Sequence, residues 1–123
     1  MIPQIFIAEV KIKSPFGFTA KSTFNELLQV AIKHGDWLSI HTSALWGGDP
    51  QAIAYTRLHT QKPIMAKGIH ATNQEIQQMF ALGADYVLSV SPPRIIPGTD
   101  PASLGAGRGV VHGRAVYIHT AIF

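Results

Sequence analysis

Cysteine is absent from all 123 residues, which excludes disulfides, thiolate metal ligands and cysteine nucleophiles. Charge is sparse. Only 14% of residues are charged, and the acids number 7 against 10 lysines and arginines. The basic residues form no block and do not interleave with aromatics, so no nucleic-acid partner is expected. No apolar run approaches the roughly 20 residues that cross a bilayer, and no basic segment followed by an apolar core opens the chain. The expectation is a cytoplasmic protein with no membrane partner.

The hydrophobic content of 46% is that of a packed chain, and residues 1–123 read as a single domain. A formal charge of +3 and a pI near 9.5 suit an anionic small-molecule ligand. So little charge leaves much of the surface apolar, which suits burial in an oligomer.

The first apolar run, IFIAEVKIKSP over residues 5–15, places Glu9, Lys11 and Lys13 at alternate positions. Alternation in a strand sends all three to one face. A carboxylate and two ammonium groups ending an apolar strand are costly unless they bind something or each other. The alternative is an edge strand with one solvated face. Thr23-Phe-Asn-Glu26 and Thr72-Asn-Gln-Glu75 read as capping boxes that open helices. Apolar residues recur at helical spacing after each, and Gly35 and Gly83 are natural stops. A third helix is expected from Pro50, capped by Asp49, to about His59. The runs WLSIHT (37–42), PIMAK (63–67) and YVLSVS (86–91) read as strands, with Met65 and Trp37 in the core. Residues 1–91 thus alternate β-α-β-α-β-α-β, which argues for parallel strands. Residues 92–114 are rich in proline and glycine and read as a long loop, and AVYIHTAIF (115–123) as a last strand. The Gly105-Ala-Gly107-Arg-Gly109 run reads as linker or phosphate cradle, and Arg94, Arg108 and Arg114 as solvated charges or anion contacts.

IAEVKIKSP, LSIHT with WGGD, KPIMAKGI, and the run from Gln74 through LGADYVLSV follow one another in an order and spacing that resemble indole-3-glycerol-phosphate synthases. The resemblance covers residues 5–91 and implies the first half of a TIM barrel, with its site at the C-terminal ends of the strands. It implies that Glu9 and Lys11 contact substrate and that Ser14 lies near the substrate phosphate. Lys67 is implied as the catalytic acid that promotes ring closure of carboxyphenylamino-deoxyribulose phosphate in tryptophan-type biosynthesis. Lys13 and His41 join the expected substrate-binding set. The family's Lys-Asp-Phe becomes Lys67-Gly68-Ile69 here, which removes an aromatic platform, and its acid after the second strand becomes Ser43.

Apart from Glu9, every acid has another place: Glu26, Glu75 and Asp49 at helix starts, Asp36 and Asp85 before strands at the opposite pole, Asp100 in the Pro/Gly segment. A second carboxylate would have to come from a partner subunit, or a histidine would replace it. His41, His70 and His119 fall near strand ends and suit a general base or polar loop contacts. They would also suit a metal, although no pair has helix-type ligand spacing. No metal or cofactor is expected. Half a barrel leaves raw edges, so a homodimer that completes the cylinder is expected, with the last strand covering an edge. Three functions remain open: a carbon-carbon lyase (ring closure with decarboxylation), a non-catalytic binder of a phosphorylated metabolite, and a subunit docking on a larger barrel enzyme.

Overall fold

The computed structural model describes residues 5–70, 72–89 and 109–112. Five strands form one parallel sheet in the order β1 (Ile7–Val10), β2 (Trp37–His41), β3 (Ile64–Lys67), β4 (Tyr86–Ser89) and β5 (Gly109–His112). Helices α1 (Phe24–His34), α2 (Gln51–Arg57) and α3 (Asn73–Leu82) connect the first four. Sequential strand order with intervening helices is the α/β arrangement that the hydrophobic rhythm predicts.

The alternation of side chains decides which face carries what. Ala8, Val10, Leu38, Ile40, Ile64, Ala66 and Val87 pack in one cluster with Leu28 and Ala31 of α1, Ile53 of α2, and Ile76, Met79 and Phe80 of α3. All three helices therefore cover the same face of the sheet. The opposite face receives the alternate residues, Glu9, Ser39, His41, Met65 and Lys67 among them.

The helix starts form as their sequences require. The Thr23 hydroxyl accepts from the Glu26 amide at 3.2 Å, and the Glu26 carboxylate accepts from the Thr23 amide at 3.1 Å. At Thr72 the return bond differs: the Glu75 carboxylate accepts from the Thr72 hydroxyl at 2.9 Å rather than from its amide. The N-cap of α2 is Pro50, which makes no side-chain cap bond, rather than the expected Asp49; the Asp49 carboxylate, one residue earlier, accepts from the Gln51 amide at 2.8 Å. Asp36 accepts from the Phe6 amide and Asp85 from the Ile64 amide, so both acids tie neighbouring strands at the N-terminal pole.

Three expectations need correction. The first strand ends at Val10, so alternation does not carry Lys11 and Lys13 onto the sheet. Lys13 is instead bridged antiparallel to Thr19, within a turn held by the Ala20 amide on the Ile12 carbonyl at 2.7 Å. Within the stretch read as loop, Gly109–His112 is a strand beside β4. The strand expected over 115–123, with His119 and Arg114, lies outside the described residues, as do Arg94, Asp100, Arg108 and the Gly105 to Gly107 run. Finally, Gly35 ends α1 in extended backbone (φ −82°), not in the left-handed form of a usual glycine stop.

Close approach explains that glycine. A Cβ at position 35 would sit 2.7 Å from both the Ala8 side chain and the Trp37 carbonyl. Gly35→Ala is expected to lower stability by about 2 kcal/mol, the usual range for overpacking a tight core contact. Urea unfolding of the two proteins checks this, and an unchanged midpoint would show that the α1–β1 contact relaxes freely.

Candidate functional site

Register assembles a charged cluster at the C-terminal ends of the strands. Glu9 stands level with Ser39, and His41, two residues further along the same face of β2, stands level with Lys67 on β3. Ser39 is small and lies on the strand between Glu9 and β3, which leaves space for the long Lys67 side chain to cross. Lys67 Nζ donates to Glu9 Oε1 at 2.8 Å, and His41 Nε2 donates to the same oxygen. A carboxylate can only accept, so His41 carries a proton on Nε2.

Both Glu9 and His41 are only 4% exposed. Burial alone would raise the Glu9 pKa, but the hydrogen bonds and charges of His41 and Lys67 outweigh it and hold the group down to about 2. Glu9 is therefore an anion at any physiological pH. Ser39 Oγ, buried on this same face, has no hydrogen-bond partner among the described residues.

Lys11 reaches the cluster by an aromatic bridge. Its Nζ lies 4.9 Å from the centre of the Trp46 ring and 5.4 Å from that of Phe18. Trp46 in turn stacks on the His41 imidazole, with centres 5.3 Å apart and planes inclined at 11°. Phe16 meets Trp46 edge-on at 6.2 Å. Position 69 is an isoleucine and supplies no aromatic ring, and the loop after β2 brings an indole to this pole instead. That loop turns at Gly47, whose φ of 71° is left-handed. A cavity of about 170 Å³ lies beneath it, lined mainly by apolar side chains and by His41 and Asp49.

Ser14 and Lys13 stand in the loop after β1. The Ser14 hydroxyl accepts from the Phe16 amide at 3.0 Å, and Lys13 is exposed. Among the described residues no carboxylate pairs with Lys11 or Lys13.

His70 belongs to a separate cluster. It is buried, its Nδ1 donates to the Leu88 carbonyl at 2.7 Å, and its Nε2 lies 3.0 Å from Thr42 Oγ1. Burial pushes its pKa down against the opposing pull of the Leu88 carbonyl and the Glu75 charge. His41 and His70 thus serve different clusters, and among the described residues no three metal-ligating side chains come together.

Pattern reasoning missed two contributors. Trp46 sits in a three-residue 3-10 turn, Ala44–Trp46, too short to show a period. Glu75 reads as a helix cap, yet it also lines a cavity of about 140 Å³ with His70 and Thr42. Compared with known proteins, this chain matches no family model and no curated protein.

Proposed function

We propose that the pole carrying Glu9, Lys67 and His41 receives a phosphorylated anionic metabolite, on a half-barrel akin to indole-3-glycerol-phosphate synthases. One observation carries this reading: a buried carboxylate holds a lysine and a histidine at one point at the C-terminal ends of parallel strands. Such a cluster is expensive to bury, and sites of chemistry are where that expense recurs. Lys67 supplies a cation that can polarise a carbonyl, and Glu9 fixes its position. Lys11 and Lys13, with the Ser14 hydroxyl, supply positive charge and a donor at the mouth for a phosphate.

Two chains related by a two-fold axis would complete the cylinder and bring a second Glu9 to the shared mouth. Three helices on one face, and an edge of β1 that no strand pairs among the described residues, support that assembly. The lyase reading adds ring closure, in which the aromatic carbon attacks the carbonyl, the ring carboxylate leaves as carbon dioxide and the carbonyl oxygen as water, Lys67 being the acid. Lys67 favours it, and the unmatched second carboxylate favours binding without turnover. Docking on a larger enzyme draws support from Phe16, Leu45 and Ile69, exposed on the loops of this pole by 87%, 61% and 60%.

Calorimetric titration with carboxyphenylamino-deoxyribulose phosphate, on a sample of known solution mass, tests the proposal. Binding is expected, with affinity falling at least tenfold in Lys67→Met, in a species twice the 13.3 kDa chain. Indole-type fluorescence appearing with time would establish the lyase. Absence of any binding to wild type would remove the metabolite reading, and a monomer mass would remove the dimer.

A further inference from the structure

The second cluster has the layout of a nucleophilic site, and the proposal above uses none of it. Because the Leu88 carbonyl can only accept, His70 Nδ1 must carry a proton. Burial keeps the ring neutral, so Nε2 carries a lone pair, and the hydroxyl 3.0 Å away on Thr42 is a donor to it. A longer contact, 3.3 Å from Thr42 Oγ1 to the Lys67 carbonyl, competes poorly for that hydrogen. Hydroxyl, imidazole and an orienting carbonyl are joined in succession by these two contacts. That is the relation by which an alcohol is activated for attack: nucleophile on base, base on orienter.

The surroundings fit such a use. Thr42 and His70 share the wall of the 140 Å³ cavity with Ser43, Glu75 and Gln78. By the volume of liquid water this is room for about four or five water-sized groups. The Glu75 carboxylate acts on His70 from the first turn of α3, and its charge favours an imidazolium. The Gln78 amide lines the same space, a donor for a developing oxyanion. Gly68 makes the arrangement possible, since a Cβ there would overlap Thr42 Oγ1. A backbone without a side chain is what lets the loop after β3 bring His70 over Thr42.

We infer that Thr42 and His70 form an acyl-transfer site for small carboxylic esters. Thr42 Oγ1 attacks the ester carbonyl carbon while its proton passes to His70 Nε2. The bond from that carbon to the alcohol oxygen then breaks, and Nε2 returns the proton to the departing alcohol, leaving an acyl-Thr42 ester. Water repeats the cycle: it gives a proton to Nε2, attacks the acyl carbon, and releases the acid as the proton returns to Thr42 Oγ1. No oxidant or metal enters the balance.

p-Nitrophenyl acetate is the probe, read by nitrophenolate release and by mass analysis of the peptide that carries Thr42. The 123-residue protein is expected to release nitrophenolate and to carry one acetyl group on Thr42. Thr42→Ser keeps the reaction, and Thr42→Val and His70→Gln lower the rate at least a hundredfold. Lys33→Met, at an exposed position on α1, leaves it unchanged. Acetyl groups found only on lysines, or a folded Thr42→Val variant releasing nitrophenolate as fast as wild type, would overturn the inference. Circular dichroism of each variant separates loss of the site from loss of the fold. Because the Lys67 and Thr42 clusters are read by different ligands, failure here leaves the metabolite reading untouched, and the converse holds.

Discussion

Lys67→Met should destabilise the protein by about 3 kcal/mol at neutral pH, the usual cost of removing one partner from a buried ion pair. Wild-type Glu9 sits with its side chain 3% exposed and its charge shared between Lys67 and His41. Methionine keeps the length of the lysine stem but leaves the carboxylate with one donor in place of two. The pH dependence should change with it. In the wild type, Glu9 is lowered in the folded state from an ordinary 4.5 to about 2. A depressed acid contributes stability that is complete above 4.5 and is lost as pH falls through 2, up to about 3 kcal/mol. In the variant the burial that raises this pKa is opposed only by His41, so the Glu9-linked loss on acidification shrinks. Urea unfolding from pH 7 to pH 2 measures both effects. A double-mutant cycle with Glu9→Gln isolates the pair: Glu9→Gln with Lys67→Met should recover most of the loss, since no buried anion remains. If Lys67→Met unfolds at the wild-type urea concentration across that range, the pair contributes nothing and the buried charge at Glu9 is satisfied by other means.

How much of this site is legible in the amino-acid order follows from the range of each interaction. The capping residues Thr23 and Glu26 lie three positions apart, and their bonds close within one turn, so the local motif suffices. Glu9 and Lys67 are 58 residues apart, yet each ends an apolar run whose period places it on a sheet. Their meeting needs only parallel order and the register that sets Glu9 level with Ser39 and His41 level with Lys67. The end of β1 is not legible. Apolar residues continue at alternate positions from Val10 to Ile12, and what stops the strand is tertiary: the Lys13 amide bonds to the Trp46 carbonyl and that of Ala20 to the Ile12 carbonyl. The stacking of Trp46 on His41 and the bond from His70 to the Leu88 carbonyl likewise join segments that only the fold brings together. In β5 the apolar signal is two valines after a glycine, Val110 and Val111, too brief to stand out from the glycine-rich run around it.

Arg57→Ala should lower stability by as much as the loss of Lys67, about 3 kcal/mol, and leave the metabolite binding proposed for the opposite pole unchanged. The guanidinium donates at 3.3 and 3.0 Å to the Thr60 carbonyl, at 2.6 Å to that of Lys62, at 3.0 Å to that of Gly83, and at 2.8 Å to Asp85 Oδ2. These acceptors lie in the α2–β3 connection (Thr60, Lys62) and the α3–β4 connection (Gly83, Asp85), so one side chain fastens two connections at the N-terminal ends of the strands. Asp85 also accepts from the Ile64 amide at 3.0 Å, which links the pair to the first residue of β3. The Arg57 and Asp85 side chains are 29% and 25% exposed, so the ion pair itself is worth less than a buried one. The larger part of the loss comes from carbonyls left without their donor. Arg57→Lys should therefore recover less than half: an ammonium can meet Asp85 but cannot span three separated carbonyls as a planar fork does. Urea midpoints of the three proteins measure the stability arm, and titration of the folded Arg57→Ala variant measures the binding arm. Full rescue by lysine would mean that charge pairing with Asp85, rather than the carbonyl contacts, holds this pole together. Weakened binding in the folded variant would mean that the two poles are coupled, against the separation of stability and chemistry that parallel βα architectures show.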